Sequence, residues 1–512
     1  MKTAYANPER PAAAGHQSIA PTAQCLTYGG DERIALNPAS GLNLYGCRPF
    51  PDQKMLAYGS ATASVISTDA YQCVDRLRQR LQAAVGTASH TAVYSREIGR
   101  IRAELMQLCE LPDSTGVIFS PSGTDVHAIA AHYAVSGATL PPRIVMMEAN
   151  ETGKGVAAAL HGVGRPAPEL VQVPVRLGDG RPRAQADIAA DVDAQVGAAV
   201  VSGRRVLLIL IDQSKTGLIA PGIACVLALQ RRFGHKLEVL VDACQFRVAP
   251  ATVRAYLEQD FMVALTGSKF LTGPSFSAAL LVPPQTAQRL ALRPFPKALA
   301  AVSNRANWPL NWAVTESCAE TANFGLLLRW EAALHELRGF RTVPPAQIVG
   351  LLNAVAVAIQ RRLHEDRHFE PLPTPQLDRR PLIAADSWDR LQTIFPFLLH
   401  HANAERTPLS AEETGQVYRQ LSVDLNENRS LNLGQPEALI AAIPCQLGQP
   451  VACGRRNGVA VSALRLCISS RLIVKAAADD DNGAAVIARA LTVLDKTALL
   501  IRLLPQLTRG AS

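Results

Sequence analysis

No run in the 512-residue sequence approaches the roughly 18 apolar residues needed to span a membrane, and the N-terminus MKTAYANPERPAAAGHQ has no apolar h-region. Neither a membrane span nor a secretory leader is expected. The ten cysteines form no CxxC pair and have no histidine partners at zinc spacing, which excludes a disulfide scaffold and a metal site and suits free thiols in a reducing cytoplasm. There is no low-complexity block, and 48% hydrophobic against 18% charged residues excludes disorder over most of the chain. The 51 Lys and Arg are spread along the chain rather than packed into a basic run with interleaved aromatics. The net charge of +8 therefore does not form the concentrated face that a phosphate backbone requires, and nucleic-acid binding is not expected. Anionic small molecules suit this balance equally well. No internal repeat occurs at solenoid periods.

A chain of this length exceeds the size of a single core and predicts two or three domains. Residues 1–70 read as an arm contributing to a small domain, with the Gly-, Pro- and Asn-rich NPASGLNLYGCRPFPD and no sustained period. The pattern from Ala70 to Leu111 is helical and closes at Pro112. Residues 71–335 form a large α/β domain, in which GVIFS, RIVMME, RVLLILI, LEVLVD, MVAL and SAALLV read as strands. These runs are near-continuously apolar, as in a mostly parallel central sheet buried on both faces, and segments 123–135 and 222–233 supply helices. Residues 336–512 read as a smaller α+β domain: a strand-like RLQTIFPFLLHH, a helix opening at Ser410 with Glu412 and Glu413 in its first turn, then VAVSALRLCISSRLIV and a final helix. A cleft between the two domains would be the natural place for a ligand.

In open α/β sheets ligands sit at the carboxyl ends of the strands. Four such places carry polar groups. Ser122, Gly123 and Thr124 in FSPSGTDVHAIAAH open a helix and offer an anion cradle, although a helix cap explains the same residues. Asp242 ends the buried strand of EVLVDACQFRVAP, where a carboxylate needs a cation or a strong donor. Asp212 in LILIDQSKTGLIAP reads as an ordinary strand-to-loop exit. Lys269 in ALTGSKFLTGPSF follows a buried strand among Thr266, Gly267 and Ser268, where a lone lysine is ordinarily a solvated surface residue.

The ordered set SPSGTD, DQSKTGLIAP, VDACQ and TGSKFLTGP resembles the fold-type I pyridoxal-phosphate (PLP) enzymes, in particular the class V aminotransferase group with the cysteine desulfurases and kynureninases. The resemblance covers residues 95–335 and, more loosely, the C-terminal domain. It implies a Schiff-base lysine at Lys269, a carboxylate for the pyridine nitrogen at Asp242 and a phosphate site at Ser122, Gly123 and Thr124. By the same resemblance Gln245 would bond the ring's phenolic oxygen, and Thr266 and Ser268 would add phosphate donors, Ser268 standing where many members have histidine. Glu148 and Asn150 would line the pocket in MMEANETGKGV, where members often stack a ring on the cofactor and this chain has Ala149 and Asn150. His127, His132 and His161 read as core or helix-surface histidines.

Thr321 and Asn323 resemble the loop that members send to the neighbouring subunit's phosphate, which implies a homodimer with active sites at the interface; a helix cap explains them as well. ALRLCISSRLIV resembles the strand that carries an arginine for the substrate α-carboxylate, Arg465 in preference to Arg471. Tyr45 or Arg48 of the arm would reach substrate, or else belong to a tight turn. The resemblance thus implies a cytoplasmic enzyme acting on an amino acid through an external aldimine. Its most frequent activity is transamination, with a lyase, Cβ-substitution or decarboxylating reaction as the alternative. Desulfuration would need a cysteine on a mobile loop, whereas Cys445 and Cys453 in IPCQLGQPVACG read as buried. A catalytically inactive partner subunit is the non-enzyme alternative, and the presence of both Lys269 and Asp242 counts against it.

Overall fold

A computed structural model describes residues 18–60, 64–135, 138–163, 166–293, 299, 303–312, 316, 318–384, 386–427, 431, 433–479 and 481–509. Thirteen strands among them form two sheets. The first strand, β1 (Leu56–Tyr58), comes from the arm. The large sheet holds β2 (Gly116–Ser120), β3 (Arg143–Met147), β4 (Glu169–Val173), β5 (Val206–Asp212), β6 (Ile219–Ala220), β7 (Leu237–Asp242), β8 (Met262–Thr266) and β9 (Ala278–Val282). Its order is β2-β9-β8-β7-β5-β3-β4, with β6 paired to β5. Strands β4, β3, β5, β7 and β8 run parallel, and β9 runs antiparallel between β8 and β2.

The apolar runs form strands because alternate residues enter two different cores. Leu208 and Leu210 of β5 join one hydrophobic cluster, while Leu207 and Ile209 join the other on the opposite face. The edge strand β4 is mostly exposed or half-buried, so its run ELVQV lacks that signature and escapes a reading based on apolar runs. Its Glu169 is bonded by Arg143 at 2.8 Å, a charged cover on the open edge.

The smaller sheet has the order β1-β12-β13-β11-β10, with β10 (Phe369–Pro371), β11 (Ile394–Leu399), β12 (Cys445–Arg456) and β13 (Val459–Cys467). Asn457 and Gly458, both at positive φ, form the tight turn that joins β12 to β13. The strand expected through CISSRLIV ends at Cys467: Ser469 caps a helix over Ser470–Ala478, its side chain accepting from the Leu472 N–H at 3.3 Å. Helix Ala411–Gln420 opens as expected at Ser410, in a capping box with Glu413.

The single helical stretch expected from Ala70 to Leu111 is two helices, Thr68–Ala84 and His90–Leu108. Gly86 follows the first and Ser89 caps the second, so local stop and start signals interrupt one continuous periodicity. Both helices pack on Phe324–Arg341, a helix that runs unbroken through residues 335 and 336. Helices Gly123–Val135 and Ile223–Phe233 form where the sequence places them.

Candidate active site

The carboxyl ends of β5, β7 and β8, together with the turns after β2 and β3, meet on one edge of the large sheet. Asp242 ends β7 and is buried. Thr152, from the turn after β3, donates its hydroxyl to Asp242 Oδ2 at 2.8 Å, and the Cys244 N–H donates to Oδ1 at 3.2 Å. His127 Nε2 stands 3.3 Å from Oδ2. Burial alone would push this carboxyl upward. The His127 ring, Lys269 and the Thr152 hydroxyl overcome burial and hold Asp242 well below the usual carboxylate range.

His127 occupies the second turn of helix Gly123–Val135 and is 1% exposed. Its Nδ1 lies 2.6 Å from the Gly123 carbonyl, an acceptor only, so Nδ1 carries a hydrogen. Burial lowers its proton affinity, but Asp242 and the Gly123 carbonyl raise it further, and the net shift is upward. The protonated ring is then a cation facing the Asp242 anion. His127 belongs to the core, as the sequence suggests, and there it orients Asp242.

The turn before this helix divides its duties. Ser122 Oγ donates to Asp125 Oδ2 at 2.8 Å and accepts from the Asp125 N–H at 3.2 Å, while Asp125 Oδ2 also accepts from the Ser122 N–H at 3.0 Å. The Ser122 hydroxyl therefore caps the helix. The N–H groups of Gly123 and Thr124 and the Thr124 hydroxyl make no hydrogen bond among the described residues, and they lie at the positive end of the helix dipole. A Cβ on Gly123 would sit 3.1 Å from Cys244 Sγ and 3.4 Å from Thr266 Cγ2, so the glycine is what lets this turn approach β8.

Thr266 ends β8, and its only hydroxyl proton goes to the Cys244 carbonyl at 2.6 Å. That hydrogen pins the turn carrying Asp242 and Gln245. Ser268 is buried, with a hydroxyl that makes no hydrogen bond among the described residues. Lys269 is half-buried, and its charge reaches Asp242, His127 and Cys244. The Phe270 N–H donates to the Gln245 carbonyl at 3.2 Å and binds the lysine turn to the buried Gln245 segment.

Asn150 is exposed, and its carbonyl accepts from Lys215 Nζ at 3.3 Å. It is Thr152, two residues on, that touches Asp242. Next to it, Glu151 is buried against Arg176 at 2.6 Å, with Ser214 and Thr216 bonding the same carboxylate. Glu148 accepts from the Val175 and Arg176 N–H groups and so holds backbone.

Arg465 is fully buried on β13, bonding the Lys215 carbonyl at 3.3 Å and the Gln449 carbonyl. Arg471 is engaged by Glu336, the Val65 carbonyl and the Thr272 carbonyl, a structural tie. From the arm, Tyr45 lines a cavity of about 740 Å³ with Arg33, Met55, Tyr418, Gln446 and Gln449, whereas Arg48 is exposed and does not line it. Arg33, absent from the sequence expectations, reaches the helix turn: a Cβ on Gly155 would lie 3.4 Å from Thr124 Oγ1 and 4.0 Å from Arg33 Nη1. Asn323 caps helix Phe324–Arg341 by accepting from the Leu326 N–H at 2.9 Å. Thr321 is exposed.

Thus Ser122, Gly123, Thr124, Asp242, Gln245, Thr266, Ser268 and Lys269 come together, and Thr152, His127, Lys215 and Arg33 join them unforeseen. His127 is one helical turn from Gly123, the only signal that could have pointed to it. All ten cysteines are free, and burial pushes the thiols of Cys445 and Cys453 up to about 11. Among the described residues no group of three His, Cys, Asp or Glu side chains is arranged to hold a metal, and no single helix is long and apolar enough to cross a membrane.

No protein-family model and no curated protein matches the chain. Solved structures do. A complex of the cystine C–S lyase C-DES with its reaction product, cysteine persulfide, is 15% identical at a TM-score of 0.54, over 85% of this chain and 96% of that one. A mutant of C-DES with glycine covalently linked to its PLP cofactor is 14% identical at the same TM-score, over 86% and 96%. The NifS-like protein of Rickettsia africae is 11% identical at a TM-score of 0.50, over 86% and 99%. The chain therefore shares the α/β fold of C-DES and of this NifS-like protein, with a mixed, mostly parallel large sheet.

Proposed function

We propose that the protein is a PLP-dependent enzyme that acts on an amino acid, with a lyase reaction of the carbon–sulfur type as its first activity. The observation that carries the reading is Asp242, a buried carboxylate kept anionic by His127 and Thr152 on the same sheet edge as Lys269 and the helix turn at Gly123. These residues fit the cofactor. The unengaged N–H groups of Gly123 and Thr124 and the Ser268 hydroxyl suit its phosphate, and the Asp242 anion suits a protonated pyridine nitrogen.

When bound, PLP supplies a conjugated ring that takes up the electron pair released at the substrate's Cα. Asp242 keeps the ring nitrogen protonated, and His127 and Thr152 hold Asp242 in place. Lys269, on the same sheet edge, would hold the cofactor and would carry the proton taken from the substrate's Cα. Gln245 would bond the ring's oxygen. Thr266 keeps Cys244, and with it the Asp242 segment, close against the Gly123 turn.

A lyase takes precedence over transamination because C-DES, at a TM-score of 0.54, is a cystine C–S lyase. A desulfurase that works through its own cysteine is less well served, since Cys445 and Cys453 are buried in β12 with thiols raised by burial. The protein would act in the cytoplasm as a homodimer, in which the exposed Thr321 serves the neighbouring subunit's phosphate. The test is the visible absorption of the purified protein with PLP, followed by incubation with a panel of amino acids that includes cystine. Absorption lost in Lys269→Ala, with a released fragment or persulfide as product, supports the reading. Absence of the absorption in the wild type overturns it, and a keto acid with aminated cofactor returns the activity to transamination.

A further inference from the structure

The cations at this edge are not equally accessible. Arg465 is fully buried, its Nε has no hydrogen-bond partner, and no carboxylate pairs with it among the described residues. One of its amino groups bonds the Lys215 carbonyl at 3.3 Å and the other the Gln449 carbonyl. The guanidinium's remaining N–H groups are sealed from solvent, so an arriving carboxylate meets the half-buried Lys215 turn before it meets Arg465. Lys215 lies on the solvent side of the same contact. It is half-buried in the turn after β5, its N–H donates to the Glu151 carbonyl at 3.0 Å, and its Nζ donates to the Asn150 carbonyl at 3.3 Å. Two of the three ammonium hydrogens remain unused.

We propose that Lys215 is the cation that receives the substrate's carboxylate, and that Arg465 behind it is a positioning residue that holds the Lys215 turn. This rests on the PLP reading above, and it departs from the expectation that Arg465 itself binds the carboxylate.

The charges around Lys215 favour an anion. Arg465 on β13, Lys269 in the turn after β8 and Lys154 in the turn after β3 all press on it. Among the described residues the carboxylate that acts on Lys215, Glu151, is already engaged by Arg176, Ser214 and Thr216. Burial first, then these cations, lower Lys215 to about 7, and an arriving carboxylate offsets both effects. Binding then requires the protonated amine and weakens as pH rises through neutrality.

The experiment titrates propionate, a carboxylate with no amine to react, into the PLP-loaded protein by calorimetry. In Lys215→Met affinity falls about tenfold or more, the effect of losing one charge-assisted hydrogen bond, while the PLP absorption stays. In the wild type, affinity declines between about pH 6 and about pH 9, whereas Lys215→Arg, charged throughout, shows no decline. Arg465→Met moves the wild-type midpoint to higher pH, because removing a neighbouring cation lets Lys215 keep its proton longer. A purely structural arginine would leave the midpoint in place. Propionate affinity within about twofold of wild type in Lys215→Met, or a decline that persists in Lys215→Arg, overturns the proposal while leaving the cofactor reading intact. Absence of PLP absorption in the wild type overturns both.

Discussion

Asp212 and Asp242 close the neighbouring parallel strands β5 and β7, one residue apart in register, and both are buried. Asp212 is held by Arg379 through two hydrogen bonds at 2.6 and 2.7 Å, and Tyr256 donates to it at 2.7 Å. A guanidinium fork and a phenol take three of its roughly four lone-pair sites, and the fork ties the carboxylate to a permanent cation. Asp242 faces an imidazole at 3.3 Å, one hydroxyl and one N–H. These partners keep it anionic without enclosing it in a fork. Burial and position are shared by the two carboxylates; the completeness of their neutralisation separates a structural one from one available for chemistry.

The contrast breaks most sharply at the Asp242 side of the edge. Lys269→Ala should abolish the covalent hold on PLP and lower turnover by about 10³-fold, within the range for loss of a positioned acid–base group, with the thermal midpoint unchanged. Absorption spectroscopy and product assays read this directly. On the Asp212 side, Arg379→Met leaves a buried carboxylate unpaired and should cost about 3–5 kcal/mol in urea denaturation. The folded fraction should keep its PLP absorption, and losing that absorption in step with stability would erase the distinction between the two carboxylates.

His127→Gln tests how Asp242 is kept anionic, and should lower activity about tenfold through a less well-held carboxylate. It also has a pH signature. His127 is raised above its ordinary 6.5, so its contribution to stability is present below about 6.5 and is lost as pH rises through the raised value. Asp242 is depressed below 3.8, so its contribution disappears only in strong acid. Denaturation midpoints should therefore fall across neutral pH more steeply in the wild type than in His127→Gln. The smallest effect belongs to the helix turn: Ser122→Ala should cost about 1 kcal/mol as a lost cap with little change in PLP affinity. Thr124→Val should do the reverse, as an equilibrium titration with PLP would show.

Much of this site was legible because its residues sit where apolar runs stop. Asp242, Thr266, Lys269 and the turn at Gly123 each follow a strand whose alternate residues fill both cores, so the strand ends are marked in the text itself. Thr152, His127 and Arg33 carry no such mark. Each matters through the reach of its side chain across elements: His127 from a helix to β7, Thr152 from the turn after β3 to β7, two strands away. The break at Gly86 and the helix start at Ser469 show the same limit in reverse, since short capping signals there override a periodic or apolar pattern that continues past them.

The sequence by itself determined the large α/β sheet, the strand ends at Asp242 and Thr266, and the helix opening at Gly123, because local patterning and burial on both faces leave few other arrangements. Only the tertiary structure decided which polar groups neutralise one another. Arg379 meets Asp212 from 167 residues away and Arg465 meets the Lys215 carbonyl from 250. Ion pairing depends on distances of a few ångströms and on the exclusion of water, and those are set by how distant segments pack rather than by their order along the chain.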